Sequence, residues 1–156
     1  MDNNYQIIMF ACIKWGYSAA DLAGVSRLKY TASVKIIKLR CTGRIDVKHL
    51  LFTIKSGADG VMVVGWRPNE CQFKKGNFKA QTHVDLANRI LERRGFGSQR
   101  INQYWLSGAE SDKLVKSVED AYEKVKRAGP NPLKLMDLEP EIKAKKVILT
   151  PTEWFL

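Results

Sequence analysis

Three cysteines, Cys12, Cys41 and Cys71, are the residues of this chain best suited to chemistry. A thiolate is both a nucleophile and a soft metal ligand, so three of them brought together can hold a metal or carry redox chemistry. A lone free cysteine is more often a small buried hydrophobe. Position sets these three apart, because each falls at the carboxyl end of a predicted strand or in the loop after it. Other chemistries find little support. The run after Cys12 reads IKWGYSAADLAG, which lacks a G-x-G-x-x-G fingerprint, and no P-loop occurs in the sequence. His49 and His83 fall in predicted helices, away from the strand ends, and read as surface or core residues. Neither a nucleophile elbow nor a pair of carboxylates can be drawn there, so hydrolytic catalysis is unsupported.

The elements that must position the thiols follow from hydrophobic pattern. Short apolar runs alternate with amphipathic stretches, which reads as strand and helix in alternation. Residues 5–12 form a near-continuous apolar run, as a strand buried on both faces requires. Ser18 and Asp21 resemble a capping box opening a short helix over 21–28. A second strand over 34–40 is followed by a helix capped by Asp46 and stopped at Gly57. The run GVMVVG at 60–65 is a central strand. A helix over 81–94, a fourth strand over 101–106 and a helix from Ser111 to the Gly129-Pro130 stop complete four strand–helix units. Such units demand right-handed crossovers and a parallel sheet covered on both sides. The expected fold is α/β, a small doubly wound, flavodoxin-like domain with strand order 2-1-3-4. In that order the ends of the first three strands are neighbours at ~4.8 Å spacing. The three thiols therefore converge where such sheets place their ligands.

Charge and length bound the partners. Residues 107–156 carry nine bases and nine acids, so the whole net charge of +10 lies in residues 1–106. Around the same sheet edge stand Lys14, Arg40, Arg44, Arg67, Lys74 and Lys75, a basic face expected to meet an acidic partner surface, with Arg44, Arg67, Lys74 and Lys75 foremost. Nucleic acid is a poor fit, because only Phe73, Lys74, Lys75 and Phe78 interleave aromatics with bases. The apolar runs 7–13 and 60–66 fall short of the ~20 residues that cross a bilayer. No secretory leader is recognisable either, so a cytoplasmic protein is expected. The 156 residues divide into a domain over 1–129 and a proline-containing tail over 130–156 that ends in Trp154, Phe155 and Leu156. So apolar a tip is expected to extend and anchor on a neighbouring subunit through Trp154 and Phe155. The alternative is a lid folded back on the last helix.

The segments around the cysteines resemble a known family. CIKWGYSAADLAGVSRLKY, VKIIKLRCTGRID, GADGVMVVGWRPNECQFKKGN and WLSGAESDKLVKSVEDAYEKVKRAGP are together similar to the delta subunit of methyl-viologen-reducing hydrogenase over about residues 5–130. The segments DLAGVSR at 21–27 and GADGV at 57–61 are the most specific. The resemblance implies a small iron-sulfur protein of methanogens and related anaerobes. Such a protein carries a 2Fe-2S cluster and passes electrons between a hydrogenase or formate dehydrogenase and the flavin subunit of heterodisulfide reductase. It also implies two departures, since the family pattern has further cysteines where this chain has Trp15 and Trp66. Cys12, Cys41 and Cys71 match the remaining positions, and a two-iron cluster needs four protein ligands. Trp15 and Trp66 are expected to fill the space such a cluster would use, leaving a subunit-bridging adaptor with a degenerate cluster site. The alternative is an electron-transfer subunit that keeps the cluster on the three cysteines and one unusual ligand, for which Asp21, Glu70 or a partner's side chain are candidates.

Overall fold

The computed structural model describes residues 5–30, 33–97 and 99–135. Four parallel strands, β1 (Ile7–Cys12), β2 (Val34–Leu39), β3 (Gly60–Gly65) and β4 (Ile101–Trp105), form one sheet in the order β2-β1-β3-β4. This is the α/β fold and strand order that the alternating pattern predicts. Between the strands run α1 (Gly16–Val25), α2 (Val47–Lys55) and α3 (Gly76–Arg93), and α4 (Ser111–Ala128) follows β4. A 3-10 turn over Thr42–Arg44 links β2 to α2, and one further turn, α5 (Pro132–Leu135), follows Gly129.

Both faces of the sheet are covered, and strand alternation assigns the residues. Ile7, Met9 and Ala11 of β1 with Met62 and Val64 of β3 pack against Ala19 and Ala23 of α1 and Leu114, Val118, Ala121 and Val125 of α4. On the opposite face Phe10, Val61 and Val63 meet Leu50 and Ile54 of α2 and Ala80, Val84, Ala87 and Leu91 of α3. The large apolar side chains among them each stabilise the fold by about 1.5–3 kcal/mol, which is why β1 and β3 carry no polar alternation.

Two helices begin earlier than their sequence signals. Ser18 does not cap α1: the helix starts directly after β1, and the Ser18 hydroxyl donates to the carbonyls of Ile13 and Lys14 at 3.3 and 3.0 Å. Gly16 permits this start, because a Cβ there would lie 2.7 Å from the Val64 carbonyl oxygen. α3 opens at Gly76 rather than near residue 81, held by Asn77, whose Nδ2 donates to the carbonyls of Trp66 and Arg67 at 3.2 and 2.7 Å. The cap of α2 is as expected, with the Asp46 carboxylate accepting from Lys48 N–H and His49 Nδ1 accepting from Asp46 N–H.

The amino edge of the sheet is closed by a polar clasp. Arg100, 1% exposed, donates to the carbonyls of Phe96, Asp59, Ala128, Gly129 and Pro130. The Asp59 carboxylate accepts from the backbone N–H groups of Gln6 and Asn131, both at 2.8 Å, and from Lys134. Asn131, fully buried, donates through Nδ2 to the carbonyls of Ile54 and Ala58 at 2.7 Å. Burial pushes the Arg100 guanidinium below its ordinary range, while the nearby Asp59 and Tyr5 pull it back up. Residues 130–135 are thus fastened to the body. The remainder of the predicted tail, with Trp154 and Phe155, lies outside the described residues.

Candidate thiol site

At the carboxyl edge Cys12, Cys41 and Cys71 line one cavity, together with Trp15 and Trp66. Cys12 ends β1, and its thiol donates to the Arg40 carbonyl at 3.8 Å. Cys41 follows β2 as the N-cap of the 3-10 turn, buried, with its sulfur accepting from Gly43 N–H at 3.4 Å. Cys71 is half-buried in the loop between β3 and α3, and its sulfur and that of Cys41 both lie over Gly76. Burial is the chief cause that pushes the Cys41 thiol up. The Gly43 N–H opposes that shift, and the neighbouring Cys71 and Cys12 reinforce it. Cys41 is therefore a neutral thiol at pH 7 in this arrangement.

Gly76, the first residue of α3, is the floor beneath the sulfurs. A Cβ there would sit 2.5 Å from Cys41 Sγ and 3.4 Å from Cys71 Sγ. Gly43 opposite lies as close, since its own Cβ would meet Gly76 Cα at 2.7 Å. Neither glycine is legible as a site residue from spacing, because the demand for space comes from sulfurs and backbone far away in sequence.

The tryptophans form a wall. Their ring centroids are 3.6 Å apart at an interplanar angle of 45°, and both are half-buried. Gly108, in the loop before α4, packs on Trp15 from outside. The Trp66 indole N–H donates to Glu70 Oε2 at 2.7 Å, so that carboxylate is already engaged. The Trp15 N–H is buried without a hydrogen-bond partner among the described residues, at a cost of about 1–3 kcal/mol.

A four-ligand two-iron cluster does not fit these residues as arranged. The cavity offers three thiols and about 10 Å³ of space, room for roughly one water. Of the two carboxylates considered as a fourth ligand, Glu70 is bonded to Trp66, and Asp21 is exposed on α1 and absent from the cavity wall. Among the described residues, His, Cys, Asp and Glu nowhere gather in a group of three at metal-binding geometry.

The basic residues surround this cavity unevenly. Lys14 and Arg40 line it, and Arg44, Lys74 and Lys75 are exposed nearby in sequence. Arg67 is ion-paired with Glu110, whose carboxyl is held below its usual range chiefly by the Ser107 N–H, with Arg67 assisting. The histidines do structural work: His83 Nδ1 is bonded to the Ile45 carbonyl at 2.6 Å, and His49 completes the α2 cap.

Beside the ion pair opens a second, shallow groove of about 540 Å³, lined among others by Arg67, Glu70, Tyr104, Trp105 and Lys113. In its wall the Tyr104 hydroxyl donates to Asp120 Oδ2 at 2.6 Å, and Lys124 pairs with the same oxygen at 2.6 Å. Burial, helped by the Asp120 carboxylate, pushes the Tyr104 phenol up, so it remains a donor at all ordinary pH. Asp120 is pushed up by burial, yet its bonds from Lys124 and Tyr104 outweigh that and hold it below the usual carboxylate range. The Tyr104→Phe variant is expected to lose about 1–2 kcal/mol at pH 7 in urea unfolding. A depressed carboxylate stabilises fully above its unfolded value and loses that contribution as pH falls through the folded one. The gap between Tyr104→Phe and the parent should therefore be flat above about pH 5 and narrow below about pH 4. A gap that widens in acid would contradict this assignment.

Fold and site together define a small doubly wound α/β module whose thiols gather at the carboxyl edge of its first three strands. The chain belongs to the family of the methyl-viologen-reducing hydrogenase delta subunit, which matches residues 7–129. It is 44% identical over 128 residues to the iron-sulfur subunit of the vhu F420-non-reducing hydrogenase of Methanococcus maripaludis, covering 82% of this chain and 96% of that one. The corresponding protein of Methanocaldococcus jannaschii is 46% identical with the same coverage. A third relative, from the ferredoxin:CoB-CoM heterodisulfide reductase of Methanosarcina mazei, is 32% identical over 124 residues, covering 80% of this chain and 16% of that protein. Among the described residues no helix is long and apolar enough to cross a membrane.

Proposed function

We propose that this chain is a subunit of a hydrogenase/heterodisulfide-reductase type redox complex and bridges its neighbours as an adaptor without a cluster. The partners in this reading are the flavin subunit of heterodisulfide reductase and a hydrogenase or formate dehydrogenase subunit. The observation that supports it is the separation of two features along one sheet. The basic, aromatic-walled thiol edge is at the carboxyl end of the strands, and Asn131 and Lys134 are fastened at the amino end. Strands of six residues separate those ends by roughly 20 Å, so two partners can be held without colliding. In this reading the 1–129 domain, with residues 130–135 fastened to it, is the body, Arg44, Arg67, Lys74 and Lys75 meet an acidic surface, and Trp154 and Phe155 anchor the rest of the 130–156 tail on the second partner.

A second reading, electron transfer through a retained 2Fe-2S cluster on Cys12, Cys41, Cys71 and a ligand from elsewhere, is favoured by the relatives that are named iron-sulfur subunits. Anaerobic copurification on the tagged full chain separates the two. The adaptor reading expects two different copurifying subunits and a chain which, once separated from them, is colourless and holds far less than one iron. About two irons per chain with visible absorbance would replace it with the second reading. For the basic edge, the double variant Lys74→Glu, Lys75→Glu should slow association with the purified partner about tenfold at low salt and flatten its salt dependence. An unchanged association rate would remove that edge from the interface.

A further inference from the structure

Two of the three thiols are set apart from the third. The Cys12 thiol is directed to the Arg40 carbonyl, whereas the Cys41 and Cys71 thiols neighbour each other over the bare Cα of Gly76. Cys41 is the fixed member, held by the turn it caps and by the Gly43 N–H. Cys71 is the adjustable member, in a loop whose residues Asn69 and Lys74 both adopt left-handed backbone, with φ of 66° and 58°. That loop is exposed from Gln72 to Lys75, so it meets little packing resistance to a shift. A half-buried thiol on a movable loop beside a fixed, buried one is the arrangement in which one cysteine accepts an attack product and the other resolves it.

We infer that Cys41 and Cys71 form a redox-active dithiol that closes to a disulfide on reaction with a low-molecular-weight disulfide. This rests on the reading that the thiols carry no cluster. The Cys71 thiolate attacks one sulfur of the oxidant, forming a mixed disulfide and releasing the first small thiolate. The Cys41 thiol, giving its proton to the released small thiolate, then attacks the Cys71 sulfur, forming the Cys41–Cys71 bond and releasing the second. Two electrons pass to the oxidant, and the two cysteine protons leave to solvent or to the released thiolates. Closure ties the loop carrying Phe73, Lys74 and Lys75 to the fixed end of β2, so the state of the pair sets the posture of the basic edge.

The test uses the full chain purified anaerobically, with its iron assayed first and oxidised glutathione as the probe. Titratable thiols should fall from three to one, return on reduction, and map by peptide mass to a 41–71 link. Cys12→Ser should leave the link intact and Cys71→Ser should abolish it. Cys41→Ser should accumulate glutathione on Cys71, because the resolving thiol is gone. Three thiols persisting in iron-free protein, or a link involving Cys12, would overturn the inference while leaving the adaptor reading standing. About two irons per chain before oxidation would overturn that reading and the inference with it.

Discussion

Replacing Arg100 by methionine should lower the unfolding free energy by about 3–5 kcal/mol, the largest effect expected of any single substitution here. Methionine has similar length and satisfies the packing, so the loss isolates the polar function. The Arg100 fork donates to the carbonyls that end α4 and to those of Phe96 and Asp59. Without it those buried acceptors have no donor, and an unsatisfied buried acceptor costs about 1–3 kcal/mol before any loss of attraction to the Asp59 carboxylate. Arg100→Lys keeps the charge and one or two of the bonds, so it should fall between the parent and Arg100→Met. Urea unfolding with an unchanged slope is the measurement. A loss of less than about 1 kcal/mol in Arg100→Met would mean that the carbonyls find water, and the amino edge would then be wetter than its burial indicates.

Gly76→Ala should destabilise by about 2–3 kcal/mol and at the same time change the reactivity of the thiols. The added methyl would collide with Cys41 Sγ at 2.5 Å and would only touch Cys71 Sγ at 3.4 Å. Cys41 cannot turn aside cheaply, because it is buried and its sulfur is held by the turn it caps. Gly43 blocks retreat of the helix start from the other side. Any displacement of the Cys41 sulfur disturbs Cys71, its neighbour over the same Cα, so the rate of Cys71 alkylation by iodoacetamide should change severalfold. A variant that is destabilised with alkylation unchanged would show that the strain is relieved by α3 instead, and that the two sulfurs need not lie over that residue.

What could be read before the fold was known follows from how locally each feature is determined. β1 and β3 are legible because a strand buried on both faces must be apolar throughout, and IIMFAC and GVMVVG have no other use for that composition. The strand order follows from four such units, and with it the meeting of three cysteines from distant parts of the chain. The start of α1 is misread because Ser18 and Asp21 imitate a cap, while the residue that decides is Gly16, whose missing side chain admits Val64. The start of α3 is hidden because the one large apolar residue of its first turn, Phe78, is exposed, and Asn77 is fixed by carbonyls about ten residues away. Nothing local to Arg100 announces that the end of a later helix will surround it. The Trp15 and Trp66 stack likewise depends on two loops meeting, and only the family resemblance directs attention to those positions.

The clasp at Asn131 also constrains when the domain can be finished. Its bond to Ile54 joins residues 77 positions apart, the longest reach among the hydrogen bonds described for this chain, and its bond to Asp59 spans 72. During synthesis the amino edge of β3 must wait, its Asp59 carboxylate bonded only to Gln6, until α4 and Asn131 have been made and packed. A contact closing so late should be largely absent from the folding transition state, so weakening it leaves the folding rate almost untouched and speeds unfolding instead. The clasp is thus a latch on the lifetime of the folded chain, and a protein that ended at residue 129 would fold at nearly the same rate but come apart sooner.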